Sequence, residues 1–201
     1  MVKPLRIALF GGTFDPPHSG HLAIAKAAAD TFHLDSILFA PAGRQPLKLD
    51  GNPAPFADRL AMTTLACAED KRFQSSTLDA SRADGLPNYT VDTLAELQKN
   101  APDAVLFNLV GADSFLDLPR WHQPDRLLEL AEWIVVSRPG FLLENLNFLH
   151  VYQRSRVHLL ETVHEDVSAT LLRQHLHIGD FCGDVLPAAV AEYIEIHHLY
   201  R

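Results

Sequence analysis

Short apolar runs that alternate with stretches of helical spacing constrain this chain more than any other feature. Ile7-Ala8-Leu9-Phe10 closes on Gly11-Gly12, and Ile37-Leu38-Phe39-Ala40 stops at Pro41. The run from Val105 to Val110 closes on Gly111, and Trp133-Ile134-Val135-Val136 gives way to Pro139-Gly140. Short apolar runs bounded by turn residues read as buried strands. Between them, residues 19–33, 57–68 and 91–98 carry helical spacing, with Thr90 as N-cap or first-turn residue of the last. Residues 73–78 and 157–160 read as shorter strands, and 126–130, 170–177 and 187–198 as helices. Residues 141–153 read as loop with some local structure. Strands alternating with helices predict an α/β fold, a doubly wound parallel sheet with helices on both faces. Ligands sit beyond the carboxyl ends of such strands, so the polar residues after Phe10, Phe39, Val110 and Val136 should converge on one site.

The 201 residues suit a single domain over 1–201, with 164–201 as a C-terminal helical part. The formal net charge of -8, from 17 basic and 25 acidic residues, argues against a broad nucleic-acid surface. A small phosphate site is still allowed, because a few local donors can override the global field. Cys67 and Cys182 are far apart in sequence, show no metal-ligand spacing and read as small, buried or half-buried thiols. The sequence offers no signal peptide and no apolar stretch long enough to span a bilayer, so no membrane association is expected. A reducing cytoplasm is the expected compartment.

The segment Gly11-Gly12-Thr13-Phe14-Asp15-Pro16-Pro17-His18-Ser19-Gly20-His21 links the first strand to the first helix. The glycine pair permits a sharp turn and a close approach to a ligand. His18 and His21 are three apart, so in a first helical turn they can face one way. Gly20 between them leaves room above the turn for a bulky anion. Unpaired N–H groups and the positive end of the helix dipole complete a phosphate site with two imidazole donors. A helix N-terminus disfavours an imidazolium and a polyphosphate favours it, so both rings should gain positive character when the anion binds. The segment is neither a G-x-G-x-x-G fingerprint nor a G-x-x-x-x-G-K-[ST] loop. A second anion cradle is visible in Val167-Ser168-Ala169-Thr170-Leu171-Leu172-Arg173, with Ser168 as N-cap and Arg173 one turn after Thr170.

These two stretches resemble the GGTFDPxHxGH signature and the ISSTxIR element of bacterial nicotinate-nucleotide adenylyltransferases, members of the HxGH nucleotidyltransferases. The resemblance runs nearly end to end and implies a Rossmann-like fold. Ala169 departs from it by standing where a second Ser is common. Pro41-Ala42-Gly43-Arg44-Gln45-Pro46-Leu47-Lys48 resembles the loop that usually carries Pro-His-Lys, with Leu47 in place of the His. Asn88-Tyr89-Thr90-Val91-Asp92-Thr93-Leu94 resembles SYTxDTL, Gly111-Ala112-Asp113-Ser114 with Leu118-Pro119-Arg120-Trp121 resembles GADS…LPxW, and Ser137-Arg138-Pro139-Gly140 resembles xRPG.

The resemblance implies adenylyl transfer from ATP to nicotinate mononucleotide in NAD biosynthesis. ATP would be held by Gly11, Gly12, Thr13, Phe14, His18, His21, Arg138, Ser168, Thr170 and Arg173, with His18, His21 and Arg173 carrying the catalysis. The mononucleotide would meet Lys48, Tyr89, Thr90, Gly111, Asp113 and Trp121. Mg²⁺ would come in mainly on the ATP phosphates, with no protein metal site. Several roles have bland alternatives: a solvated Lys48, a merely capped helix start at Tyr89 and Thr90, a core Trp121, and a structural Arg138. Nicotinamide mononucleotide or pantetheine phosphate as acceptor, and a non-catalytic nucleotide-binding module, are the competing functions. A homo-oligomer stays open.

Overall fold

A computed structural model of the chain describes residues 3–44, 53–137, 149–161, 167–180 and 182–201. Six strands form one sheet: β1 (Arg6–Gly12), β2 (Ser36–Pro41), β3 (Phe73–Ser75), β4 (Val105–Gly111), β5 (Glu132–Ser137) and β6 (Val157–Glu161). Every pair is parallel and the spatial order is β3-β2-β1-β4-β5-β6. The order reverses beside β1, where Leu9 lies opposite Asn108 and Phe10 opposite Leu109. The chain leaves β1 toward one edge and β4 toward the other, so a crevice opens above their carboxyl ends.

The helices are α1 (Ser19–Thr31), α2 (Phe56–Cys67), α3 (Thr90–Asn100), α4 (Ala112–Leu116), α5 (Pro124–Leu130), α6 (Val151–Arg154), α7 (Ala169–His177) and α8 (Ala188–Ile196). Strand alternation divides the core in two, because successive side chains point to opposite faces. Ala8, Phe10, Phe39, Phe107 and Leu109 pack with α1, α2, α7 and α8 on one face. Leu9, Leu106, Val110, Trp133 and Val135 pack with α3 and α5 on the other. Leu172 of α7 and Val190, Ala191 and Ile194 of α8 belong to the first core, so the last two helices share the sheet's own interior.

The expected fold class is present, with strands and long helices within a few residues of their predicted ends. Three short elements were not anticipated: α4, a 3-10 turn at Leu118–Arg120, and α6, which falls in the stretch read as loop. Each is five residues or shorter, too brief to display a period. Cys67 is buried and Cys182 half-buried, both as free thiols. Cys182 does lie near two other ligand-type groups, since its sulfur and atoms of His175 and Asp180 fall within 4.8 Å of one another. The His175–Asp180 contact at 2.8 Å, on an exposed surface, accounts for that approach.

Phe107 is fully buried at the centre of the sheet. Phe107→Ala should destabilise the fold by about 3–5 kcal/mol, read as a lower urea midpoint at unchanged slope.

Candidate active site

The first turn is built by packing as much as by its glycines. After β1, Phe14 takes a positive φ of 47° and folds its ring back over Gly12. A Cβ on Gly12 would lie 3.0 Å from that ring, so the second glycine makes room for an aromatic side chain. Phe14 is 2% exposed and meets Phe10 edge-on at 5.4 Å and His21 at 5.1 Å. The Phe14 ring, expected among the ATP contacts, is thus packed in the protein interior. The ring is a wall that positions His21, and little of the residue is left to touch a ligand.

His18 caps α1 in an extended conformation, and its backbone N–H donates to Nδ1 of His21 at 3.2 Å. A neutral imidazole that accepts at Nδ1 must carry its proton on Nε2, which makes His21 a donor there. The two rings lie 3.7 Å apart, one above the other. Gly20 is what lets them do so. A Cβ there would sit 3.1 Å from Nδ1 of His18, so the space expected to receive an anion holds the His18 ring.

Burial depresses the His18 imidazole from 6.5 to about 4. It drives His21 well below its usual value too, and the neighbouring His18 adds to the effect. Both rings are thus neutral donors near pH 7, and only a dense negative charge in contact with them would draw a proton on. Nδ1 of His18 is buried without a partner, a cost of the kind folded proteins carry at working sites.

The second motif comes to the first. Ser168 caps α7, accepting from the Leu171 N–H at 3.4 Å, as expected. Arg173 donates to the Asp15 carbonyl at 2.8 Å and to the Thr170 hydroxyl at 3.4 Å, and lies 3.7 Å from the Asp15 carboxylate. Val167 meets the Gly20 turn, 3.7 Å from where a Cβ would be. The starts of α1 and α7 are therefore adjacent, 158 residues apart in sequence at the Arg173–Asp15 bond.

Two buried charges hold this arrangement. Asp15 is 3% exposed and accepts from the Tyr200 hydroxyl at 2.6 Å and the Ala54 N–H at 3.1 Å. Arg59, on α2, is 2% exposed and donates to the carbonyls of Thr13, Ala42 and Ala54 at 2.8–2.9 Å. Burial, with the Asp15 bond behind it, raises the Tyr200 phenol far above its ordinary range.

A cavity of about 300 Å³ opens on the α3 side of the crevice. Of the expected site residues, Gly11, Gly12, Thr13, Tyr89, Thr90 and Trp121 line it. His18, His21, Ser168, Thr170 and Arg173 do not, and the Gly11–Thr13 turn joins their cradle to the cavity. Gly111 and Asp113 are exposed at the β4–α4 junction, where Val110 and Ser114 face the cavity instead. Lys48 and Arg138 lie outside the described residues, as does Leu47.

Inside the cavity, Trp121 is half-buried and backed edge-on by Trp133 at 5.9 Å. Tyr89 stacks on His122 at 4.4 Å. Thr90 is the first residue of α3 and Tyr89 its cap, so the helix turns its unpaired N–H groups this way. Asp79 also lines the space, its carboxyl raised by burial from 3.8 to about 6 against a 3.2 Å hydrogen bond from Thr93. Gly43 fixes that segment: its N–H donates to the Asp79 carbonyl at 2.7 Å, and a Cβ there would stand 2.7 Å from the carbonyl carbon of Ala80.

Asp15, Arg59, Asp79, Asn108 and Tyr200 were not foreseen as site residues. Asn108 had a readable signal as the polar residue of an apolar strand, and so had Arg59. The latter opens the buried stripe Arg59, Met62, Thr63, Ala66, Cys67 of α2, so a cation stands where helical spacing demands an inward side chain. The others depend on contacts distant in sequence.

Comparison with known proteins agrees with this geometry. The cytidylyltransferase-like family matches residues 9–175. The chain is similar to a probable nicotinate-nucleotide adenylyltransferase of Roseiflexus sp. (strain RS-1), 42% identical over 97% of this chain and 98% of that one. The Thermus thermophilus protein of the same name is 41% identical over 98% of this chain and 100% of its own. In structure the chain is similar to Plasmodium falciparum nicotinic acid mononucleotide adenylyltransferase complexed with NaAD. That match has a TM-score of 0.74 at 16% identity, covering 98% and 97% of the two chains, and it bears on the fold.

Arg59→Met should cost about 3 kcal/mol or more in chemical denaturation, because carbonyls buried around the guanidinium lose their donor. The histidines give a pH signature. Their folded values lie below 6.5, so the unfolded chain takes up protons first and stability falls as pH drops from 6.5 toward about 4. Asp79 runs the other way between 3.8 and about 6, so the readout is a difference. The stability of the parent chain minus that of His18→Asn should shrink as pH falls from 6.5 to about 4 in melts of the ligand-free proteins. A constant difference would contradict the buried neutral imidazole.

Proposed function

The chain belongs to the cytidylyltransferase-like family and, within it, to the nicotinate-nucleotide adenylyltransferases; from this we infer that it transfers the adenylyl group of ATP to nicotinate mononucleotide. The products are nicotinate adenine dinucleotide and pyrophosphate, a step of NAD biosynthesis. The observation that carries the reading is the meeting of the α1 and α7 starts beside a ring-sized cavity.

The chemistry needs no enzyme nucleophile. A 5′-phosphate oxygen of the acceptor attacks the α-phosphorus, a new P–O bond forms, and the bond to the bridging oxygen breaks. Pyrophosphate leaves with that electron pair. The attacking oxygen is already anionic, so the protein's work is placement and stabilisation of charge. His18 and His21 donate to the triphosphate as neutral rings and gain positive character as charge builds on the leaving group. Ser168, Thr170 and Arg173 close the other side, with the Gly11–Thr13 turn beneath. The cavity takes the mononucleotide, with Trp121 against the pyridine ring and the start of α3 at its carboxylate.

Mg²⁺ fits this cradle as a passenger of the phosphates. Asp15, the carboxylate at the imidazole turn, has its oxygens committed to Tyr200, Ala54 and Arg173, which leaves a hard cation little to bind there except phosphate and water. When bound, the ion neutralises charge on the triphosphate. Among the described residues no helix is long and apolar enough to cross a membrane.

A pyrophosphate-release assay with ATP and either nicotinate or nicotinamide mononucleotide tests the reading. Turnover is expected with the acid acceptor, and no release with either acceptor would sink it. His21→Asn should lower kcat by about a hundredfold or more, as for loss of one donor aimed at developing charge, with a smaller change in KM for ATP.

A further inference from the structure

One polar side chain faces the cavity with nothing to bond. Asn108 lies within β4, between Leu9 of β1 and Trp133 of β5, and is 3% exposed. Leu106 and Val110, two residues away on either side, pack in the α3-side core, so alternation aims Asn108 to the same face. That is the face on which the cavity opens, and Asn108 is part of its lining. Among the described residues no hydrogen bond reaches its amide. The neighbouring Trp133 indole is aimed elsewhere, toward the Leu127 carbonyl at 3.4 Å. An amide brings two donor hydrogens and a carbonyl acceptor, and here they are turned to the cavity rather than to a protein partner. The flanking positions of β4 are filled by Leu106, Phe107, Leu109 and Val110, which shows that an apolar residue would suit the strand.

We propose that Asn108 is a further acceptor-binding residue whose amide hydrogen-bonds the ring substituent of the mononucleotide from the floor of the cavity. This rests on the adenylyltransferase reading above. The acceptor is favoured over the adenine because Trp121 and the start of α3 share this cavity, while the imidazole cradle lies outside its lining. A ring held against Trp121 in so small a space sets its substituent between the α3 N–H groups and the strand floor, so one carboxylate oxygen can meet each. The Asn108 amide can donate N–H to a carboxylate. Rotated, it can also accept from a carboxamide, so it takes the acid without excluding the amide. A carboxylate at this position would repel the acid acceptor and still accept from the carboxamide.

The test compares the parent chain, Asn108→Asp and Asn108→Leu. Pyrophosphate release is measured with ATP and each mononucleotide, and thermal melts are recorded for all three proteins. Asn108→Asp should lose at least about tenfold in kcat/KM with nicotinate mononucleotide, distinctly less with nicotinamide mononucleotide, and keep its KM for ATP. Asn108→Leu should melt no lower than the parent yet lose activity with the acid acceptor, because the amide it removes bonds no protein group and the new side chain is of similar size. The Leu variant decides the matter if the Asp variant fails to fold. The proposal is overturned by unchanged acceptor kinetics in the variants, by equal losses for both acceptors in Asn108→Asp, by a change confined to the KM for ATP, or by a Leu variant that melts lower. A parent chain inactive with both acceptors would end the functional reading and this inference together. An active parent with indifferent variants would end this inference alone.

Discussion

The site depends on a buried guanidinium. Arg59 reaches from α2 to the carbonyls of Thr13, Ala42 and Ala54, and so ties the turn after β1 to the turn after β2 and to the segment entering its own helix. Backbone carbonyls at strand ends need donors once they are out of water. A single cation meets them here while Asp15 supplies the opposing charge nearby. Asp15 in turn carries Tyr200 and Arg173, which draws in the C-terminal end of the chain and the start of α7. The turn that carries the two imidazoles is held from both sides before any ligand arrives.

That rigidity bears on the electrostatics. The cradle is made of neutral rings, hydroxyls and a helix start, and the Arg173 guanidinium beside it is partly committed to Asp15. Stacking His18 on His21 beneath Phe14 buries the first ring and half-buries the second, which suppresses their charge in the free protein. Donors that need no reorganisation can then respond to charge where it develops, in a setting of low dielectric. The unpartnered nitrogen of His18 is the visible cost. It lies at the imidazole turn, while the Asn108 amide faces the cavity on the α3 side of the same crevice.

Much of the fold was legible because its signals are local. Strands β1, β4 and β5 are apolar runs closed by turn residues, and a run of that kind has few other stable fates. Ser168 could be recognised as a cap from its place before a helical run, and the His18–His21 pair from its spacing. Helices α4 and α6 were missed because elements of four or five residues have no period to read. Gly20 was understood as space but assigned to the wrong occupant, since only the rotamer of His18 reveals that the ring fills it. The inward turn of the Phe14 ring could not be read from its place inside the signature, since it depends on a positive φ.

Sequence alone determined the class of sheet, the two motifs at the starts of α1 and α7 and the family that they announce, because each is written in residues close along the chain. Only the tertiary structure decided which distant groups support them. Tyr200 meets Asp15 across 185 positions, and Arg173 meets the same residue across 158. Asn108 looks like one polar residue in an apolar strand until the helices beside it leave a cavity at its side chain. Periodicity records which way a side chain faces. What it meets there depends on the packing of elements far apart in sequence.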